Sequence, residues 1–150
     1  MSRGNLFLIP LAVLLAALYA FFFTDWFRTK TIQIVPQNRP AAFWRSRSPV
    51  NAVSFTLDGT YKLTSVKVVL LSAFETNKHT VPVWHLISTS NSVPSRGFLY
   101  GMPIQGMKPS KLKSKADPLI PNMTYRLFVE AGKAKGAIDF RPQPARSLTR

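Results

Sequence analysis

Few side chains in this sequence could carry out nucleophilic, acid–base or metal chemistry. The 150 residues include six acidic side chains, two histidines and no cysteine. Without cysteine, thiol catalysis, disulfides and cysteine-based metal sites are excluded. His79 falls in a predicted turn and His85 in a predicted strand, and a metal site needs more ligands than this pair supplies. We therefore expect no metal site.

The acidic residues do not form a recognisable catalytic pair. Asp58 and Asp117 stand in predicted turns, and Asp25 follows an apolar stretch. Glu130 and Asp139 fall on the two sides of the last predicted hairpin, where we expect them to contact lysines of the adjacent strand. The sequence contains no glycine-rich phosphate loop, nucleophile elbow or ordered serine, histidine and aspartate set. It thus predicts no enzyme activity, no cofactor and no small-molecule substrate.

The longest apolar stretch is Leu6–Phe23, eighteen residues without a charged side chain or an amide. A helix over this stretch is roughly 27 Å long, close to the ~30 Å hydrocarbon core of a bilayer. A secretory signal has a shorter apolar run of about 7–15 residues and a small-residue cleavage site. Residues 1–29 are therefore predicted to form an uncleaved, single-pass transmembrane anchor. The residues that we expect to define this anchor are Leu6, Pro10, Leu14, Tyr19, Phe23 and Trp26.

The predicted anchor bears no histidine and no ionisable side chain. We therefore expect it to ligate no pigment and to conduct no ion. Its small residues, among them Ala12, Ala16 and Ala20, either permit close packing against another helix or face lipid. For the orientation, the positive-inside rule favours a cytoplasmic domain, whereas a signal-anchor exports the domain that comes after it. We expect the second arrangement, with the domain exported across the membrane.

The chain is strongly basic, with a formal net charge of +14. Such an excess predicts an anionic neighbour, either lipid headgroups, an acidic protein face or nucleic acid; a merely soluble basic surface is the alternative. Nucleic-acid binding would use exposed aromatic rings such as Phe98 and Tyr100, and a membrane tether disfavours it. The residues that we expect to contact a partner or lipid are Arg28, Lys30, Trp44, Arg45, Arg47, Lys108, Lys111, Lys113 and Lys115.

Residues 30–150 are predicted to form one β-sandwich, because short segments of alternating apolar residues recur along them. Asp58–Gly59 predicts a hairpin turn, and Pro82 favours an edge position for its strand. The predicted strands are Thr31–Val35, Ala52–Leu57, Tyr61–Leu71, Val81–Ser88, Met123–Ala131 and Ala137–Phe140. The segments predicted to be irregular are an extended strap at 36–49, a loop region at 89–115, a connection at 132–136 and a basic tail at 141–150.

The segment that begins at Leu119 resembles the tyrosine corner of fibronectin type III and related immunoglobulin-like domains. Pro121 follows Leu119 by two residues, and Tyr125 follows four residues later, ahead of an alternating apolar run. In that motif the tyrosine ring enters the sandwich and its hydroxyl bonds to upstream backbone. The resemblance implies an Ig-like, fibronectin type III-like β-sandwich in which these three residues are structural. Trp84 is a candidate for the core tryptophan of this sandwich.

Longer stretches resemble a family of small bacterial proteins with one N-terminal helix and an Ig-like domain. These stretches are TDWFRTKTIQI (24–34), FTLDGTYKLTSVKVV (55–69), WHLISTSNSVP (84–94) and YRLFVEAG (125–132). The chain is also similar to the small accessory subunit of some bacterial photosynthetic reaction-centre–light-harvesting complexes. That resemblance implies a helix between the reaction centre and its antenna ring, a sandwich that bridges neighbouring subunits, and no pigment ligated by this chain.

The sequence therefore predicts a non-catalytic scaffold subunit of a bacterial membrane complex, with other subunits and membrane lipid as its partners. One alternative is a free-standing, anchored envelope-binding or adhesion module, which would expose an apolar or aromatic face on the sandwich. Another is a tether that binds anionic lipid, whose membrane binding would depend steeply on salt.

Overall fold

The computed structural model describes residues 5–23, 29–39, 50–89, 92–111 and 115–145, except for the side chains of residues 5–7. Within these ranges the chain is mainly β, as predicted, with one sheet of three strands and one of five. The predicted strap beyond Arg39 and the end of the predicted tail lie outside the described residues. So do these predicted anchor and contact residues: Trp26, Arg28, Trp44, Arg45, Arg47 and Lys113.

Helix α1 (Asn5–Phe23) forms over the predicted apolar stretch, and Pro10 lies in its second turn. Leucine and alanine dominate this helix, and both have high helix propensity. Every side chain from Leu8 to Phe23 is exposed. Among the described residues, no helix is both long and apolar enough to cross a membrane. The transmembrane role predicted for this segment therefore has no support from the structure and stays a prediction.

The strands form two antiparallel sheets. The smaller sheet contains β1 (Ile34–Arg39), β2 (Ala52–Tyr61) and β5 (Ser95–Leu99), in the order β1-β2-β5. The larger sheet contains β3 (Ser65–Leu70), β4 (Trp84–Ile87), β6 (Lys108–Pro109), β7 (Tyr125–Ala131) and β8 (Ala134–Phe140), in the order β6-β4-β3-β7-β8. A short helix, α2 (Leu71–Thr76), follows β3. The consecutive strands β2 and β3 thus belong to different sheets.

Side chains from both sheets meet in one apolar core. Along β2, Val53, Phe55 and Leu57 are buried, as their alternation predicted. The Phe55 ring contacts Phe98 of β5, with centroids 5.4 Å apart, and Phe140 of β8, with centroids 4.9 Å apart. Because Phe98 and Phe140 belong to different sheets, Phe55 joins the two layers.

The predicted hairpin at Asp58–Gly59 is wrong, because β2 continues through these residues to Tyr61. The Asp58 N–H donates to the Gln33 carbonyl, 3.1 Å away, and Tyr61 pairs with Ser95 of β5. The pairing register between β2 and β5 shifts along this stretch, as it does at a β-bulge that contains glycine. Pairing on both sides of the strand therefore outweighs the local turn preference.

The predicted strand Tyr61–Leu71 is correspondingly divided between the end of β2, a crossing segment, β3 and the start of α2. Tyr61 ends β2, and residues 62–64 carry the chain across to the larger sheet, where β3 begins at Ser65. Leu63 is fully buried within this crossing. At the other end Leu71 starts α2 instead of closing the strand.

The first strand lies further along the chain than predicted. β1 extends over Ile34–Arg39, so residues 36–39 of the predicted strap are in a strand. Pro36 is tolerated there because β1 is an edge strand of its sheet. The residues before β1 instead lie alongside β8. The Ile32 N–H donates to the Lys135 carbonyl at 2.9 Å, and the Lys135 N–H donates to the Lys30 carbonyl at 3.0 Å.

The described part of the region 89–115, which was predicted to be irregular, contains two strands. β5 was not predicted because Ser95, Arg96 and Gly97 interrupt the apolar pattern. A Cβ at Gly97 would lie 2.6 Å from the Phe55 carbonyl oxygen, so the glycine permits close pairing with β2. β6 pairs with β4, which is therefore internal rather than the edge strand that Pro82 suggested.

The last hairpin matches its prediction except at the turn. β7 and β8 pair from Tyr125 with Phe140 to Ala131 with Ala134, so two residues make the turn instead of the predicted 132–136. Gly132 adopts φ 61° in this turn, a conformation that glycine reaches at little cost. The tail is also bound to the domain where it is described, since the Asn51 N–H donates to the Gln143 carbonyl at 2.9 Å.

Candidate functional site

The corner segment leads the chain into β7. Leu119 and Tyr125 are buried, and Pro121 is half-buried. The Ile120 N–H donates a hydrogen bond to the Tyr125 hydroxyl oxygen at 3.0 Å. The Tyr125 ring stacks against Phe140, with centroids 5.8 Å apart. The residues singled out by the corner resemblance therefore hold the 119–125 segment against the core.

The two acidic residues of the last hairpin each face a cation on the adjacent strand. Arg126 donates two hydrogen bonds to Asp139, at 2.6 and 2.7 Å. Glu130 forms an ion pair with Lys135 at 3.1 Å. The hydrogen bond from Arg126 lowers the pKa of Asp139 below its ordinary value. A lysine contact was expected for both acids, and Asp139 has an arginine instead.

The half-buried imidazole of His85 lies on β4 beside Lys67, its register partner on β3. Burial lowers its pKa, and the positive charge of Lys67 lowers it further, while Glu130 on β7 acts in the opposite direction. His79 follows α2 and is exposed. No group of three or more histidine and carboxylate side chains in the described ranges could hold a metal ion.

One end of the sandwich gathers cations from several strand ends. We call Lys30, Lys62, Arg96 and Lys133 the basic end; all four side chains are exposed. Lys62 follows the last residue of β2, Arg96 lies in the first half of β5, and Lys133 is in the turn between β7 and β8. The Lys30 ammonium lies over the Tyr61 ring, 5.6 Å from its centroid.

Contacts between the strand ends place the four cations of the basic end together. Tyr61, which precedes Lys62, pairs with Ser95, which precedes Arg96. The Lys30 carbonyl accepts from the Lys135 N–H, and Lys135 follows Lys133 by two residues. Lys30 is also the first described cation after α1. The basic end is therefore the end of the sandwich from which the chain leads back to the helix.

The predicted contact residues Lys108, Lys111 and Lys115 do not form one patch with the basic end. Lys108 lies on β6 opposite Ile87, and Lys111 and Lys115 follow it along the chain. The Asp117 N–H then donates to the Val83 carbonyl, at the opposite end of β4. The described lysines are exposed but spread along the β4 side of the larger sheet.

The two aromatic side chains considered for base stacking, Phe98 and Tyr100, do not present an exposed ring face. Phe98 is buried, and Tyr100 is half-buried with its ring 5.2 Å from that of Trp84. The Tyr100 hydroxyl donates to the Asp117 carbonyl at 2.7 Å. Burial raises the pKa of Tyr100 well above its ordinary value. Trp84 is itself buried, as expected for a core residue of the sandwich.

An open hollow of about 270 Å³ lies on the outer face of the last hairpin. Phe128 and Ala137, which pair across β7 and β8, contribute apolar surface to its lining. Thr31 and the Glu130–Lys135 ion pair also line it. The described lining thus combines a hydroxyl, an ion pair and apolar side chains.

Sequence reasoning missed three of the four cations in the basic end. Lys62, Arg96 and Lys133 are isolated in the sequence, each beside a strand end or turn. The only signal was their position at the ends of apolar segments. To group them, one needs the strand order, because β2, β5 and β8 bring their ends together only in the folded sandwich.

Comparison with known proteins supplies no relative for this chain. No family model, curated protein or solved structure matches it. Its function is therefore inferred from the residues and contacts of the sandwich and of α1.

Proposed function

We propose that this chain is a non-catalytic structural subunit of a bacterial membrane complex, anchored by α1 and bridging neighbouring subunits with its sandwich. The observation that carries this proposal is the exposure of α1. Its described side chains, Leu8–Phe23, are apolar or aromatic on all sides, and all of them are exposed. A helix that is apolar all round is normally buried in a protein core or in a bilayer.

The energetics of insertion support a membrane location for α1. Leu6–Phe23 contains twelve Leu, Ile, Val and Phe residues, each worth about −0.3 to −0.6 kcal/mol in helix insertion, or roughly −5 kcal/mol together. No charged side chain opposes this sum within the stretch. We place the helix in the inner membrane and the sandwich in the periplasm.

The strand order supports a proposal about the type of sandwich. The first, second and fifth strands form one sheet, and the other contains the third, fourth, sixth, seventh and eighth. Together with the Tyr125–Ile120 contact, this order is consistent with an Ig-like domain of the fibronectin type III kind.

The anchor is tested by extracting native membranes with alkaline carbonate, which releases peripheral proteins. We expect the full chain to stay in the membrane pellet. Replacing Leu14 and Leu15 together by arginine adds roughly 6 kcal/mol to the insertion free energy, so the double variant is expected in the supernatant. The matched control replaces both residues by isoleucine and should stay in the pellet. Release of the wild-type chain by carbonate would contradict the anchor.

The identity of the complex is a further part of the proposal. A photosynthetic reaction-centre–antenna complex is one assembly of this kind, and near-infrared absorption of the co-purified material tests it. A free-standing envelope-binding module is the second candidate. It would expose an apolar or aromatic face on the sandwich, whereas Val35, Val81 and Ile120 are single exposed apolar side chains. This candidate predicts that the extracted chain carries no membrane subunit with it.

A further inference from the structure

We propose that the basic end, Lys30, Lys62, Arg96 and Lys133, contacts anionic headgroups of the bilayer that holds α1. This inference rests on the proposed membrane location of α1. It assigns a lipid-binding surface to side chains from four separate parts of the chain. Its occupant is the phosphate or carboxylate of an anionic lipid headgroup.

The length of the connection keeps the basic end near the helix. Lys30 follows Phe23 by seven positions, and a fully extended chain of that length spans at most about 25 Å. β2, by contrast, spans ten residues, or about 33 Å, between the two ends of the sandwich. The basic end is therefore the part of the domain that lies nearest the membrane surface when α1 is inserted.

The distribution of charge along the sandwich is uneven. The basic end has four exposed cations, and the carboxylate of the neighbouring Asp58 accepts a hydrogen bond from the Tyr61 hydroxyl at 3.0 Å. The nearby Glu130 is already paired with Lys135. The other described acids of the domain, Glu75, Asp117 and Asp139, lie toward the opposite end. The end nearest the helix thus carries four exposed cations and, outside the Glu130–Lys135 pair, one described carboxylate, that of Asp58.

The geometry of the basic end fits a lipid surface better than a folded acidic protein. Three of its four cations are lysines, whose long, flexible side chains carry point charges that adapt to mobile headgroups. The cations project from different strand ends and do not form one rigid site that would bind a single carboxylate through two parallel hydrogen bonds. The Tyr61 ring beneath Lys30 adds an aromatic side chain, and tyrosine is enriched at membrane–water interfaces. Attraction to anionic lipid acts only within about a Debye length, ~8 Å at physiological salt, which the short connection permits.

The test uses the full chain in lipid nanodiscs made either of phosphatidylcholine or of phosphatidylcholine with phosphatidylglycerol. Because the chain has no cysteine, Thr60→Cys introduces one labelling site beside the basic end. A fluorophore there reports contact through a quencher on the lipid headgroup. We expect strong quenching in anionic discs, weak quenching in neutral discs, and loss of the difference at high salt. A label at Ser72→Cys, on α2 at the other end, should stay weakly quenched in both.

A matched pair of charge variants decides which cations are responsible. The double variant Lys62→Gln with Lys133→Gln should lower the equilibrium constant for contact between the basic end and the anionic membrane surface at least about tenfold. Lys78→Gln with Lys111→Gln removes the same charge elsewhere and should leave it within about twofold of the parent. Equal urea midpoints for the two variants show that both are folded. Equal quenching in neutral and anionic discs, or equal loss in both variants, would overturn the proposal.

The same experiment separates this inference from the anchor on which it rests. If α1 inserts but quenching of the label is the same in neutral and anionic discs, only the lipid contact is overturned. An acidic protein face then becomes the better partner for the basic end. If the chain enters neither kind of disc, the membrane location of α1 is contradicted instead.

Discussion

The hydroxyl oxygen of Tyr125 lies 3.0 Å from the backbone nitrogen of Ile120, five residues earlier in the chain. This contact closes a loop that begins at the buried Leu119 and ends at the first residue of β7. The Tyr125 ring belongs to the apolar core, while its hydroxyl serves the backbone at the edge of that core. One side chain thus fixes both the packing of β7 and the course of the segment that precedes it.

Removal of this hydroxyl should destabilise the domain without opening a cavity. Tyr125→Phe keeps the ring against Phe140 but leaves the partly buried Ile120 N–H without its acceptor. We expect a loss of about 1–2 kcal/mol in the free energy of unfolding, measured by urea denaturation of the full chain in detergent. Tyr61→Phe is the control, because the bond from Tyr61 to Asp58 is exposed, and it should cost under about 0.5 kcal/mol. If both variants lost the same free energy of unfolding, the hydrogen bond between Tyr125 and Ile120 would stabilise the domain no more than an exposed one.

Gly136 should be required for the close packing of β8 against Ile32, in the segment that precedes β1. A Cβ at this position would lie 2.5 Å from the Ile32 carbonyl oxygen and 3.0 Å from the Ile32 Cβ. Gly136→Val is therefore expected to cost about 1–3 kcal/mol and to accelerate hydrogen exchange at the Ile32 amide. Gly132→Asn is the control, since nothing lies within 4 Å of an added Cβ there and asparagine tolerates positive φ. Unchanged protection of Ile32 in Gly136→Val would contradict the packing described.

The Arg126–Asp139 pair should stabilise the protein only while Asp139 is ionised. Its pKa is lowered in the folded state by the hydrogen bond from Arg126, so its contribution is complete above the ordinary value of 3.8. The contribution is lost as the pH falls through the lower, folded-state pKa. We expect Asp139→Asn to cost about 0.2–1 kcal/mol at neutral pH. A double-mutant cycle with Arg126→Gln, followed by urea denaturation at several pH values, measures this. A coupling that persists in strong acid would contradict the ion-pair account.

His85 should titrate below an ordinary histidine. Burial and Lys67 lower its pKa, against the opposing effect of Glu130. Because the unfolded chain binds the proton more readily, the stabilisation from neutral His85 is present above the ordinary value of 6.5. It is lost as the pH falls from there through the folded-state pKa. In an NMR titration, Lys67→Met should raise the pKa of His85 and Glu130→Gln should lower it. Lys78→Met, which removes an exposed charge after α2, should leave the pKa of His85 unchanged.

The sequence was sufficient for features that depend on local periodicity. The alternation of Val53, Phe55 and Leu57 identified both a strand and its buried face, and the pattern after Tyr125 identified β7. The apolar content of Leu6–Phe23 identified α1. In each case the residues that determine the element are close together, so a short window contains the physical information.

The sequence was insufficient where distant pairing decides the structure. Asp58–Gly59 has the composition of a turn, yet neighbours on both sides hold it in β2. β5 has a weak apolar pattern and forms because Gly97 lets it approach Phe55. The basic end was missed for the same reason, since Lys62, Arg96 and Lys133 become neighbours only after the two sheets assemble.

The measurement that tests the proposed function most directly is mild detergent extraction of native membranes, with the tagged chain recovered and its mass and subunit composition determined. We predict recovery with integral membrane proteins in a fixed stoichiometry. Ala16→Ile, which enlarges the face that Ala12, Ala16 and Ala20 share on α1, should reduce that recovery, whereas Leu15→Ile on another face should not. Recovery of the wild-type chain alone, as a monomer in its detergent micelle, would contradict the proposed role as a structural subunit.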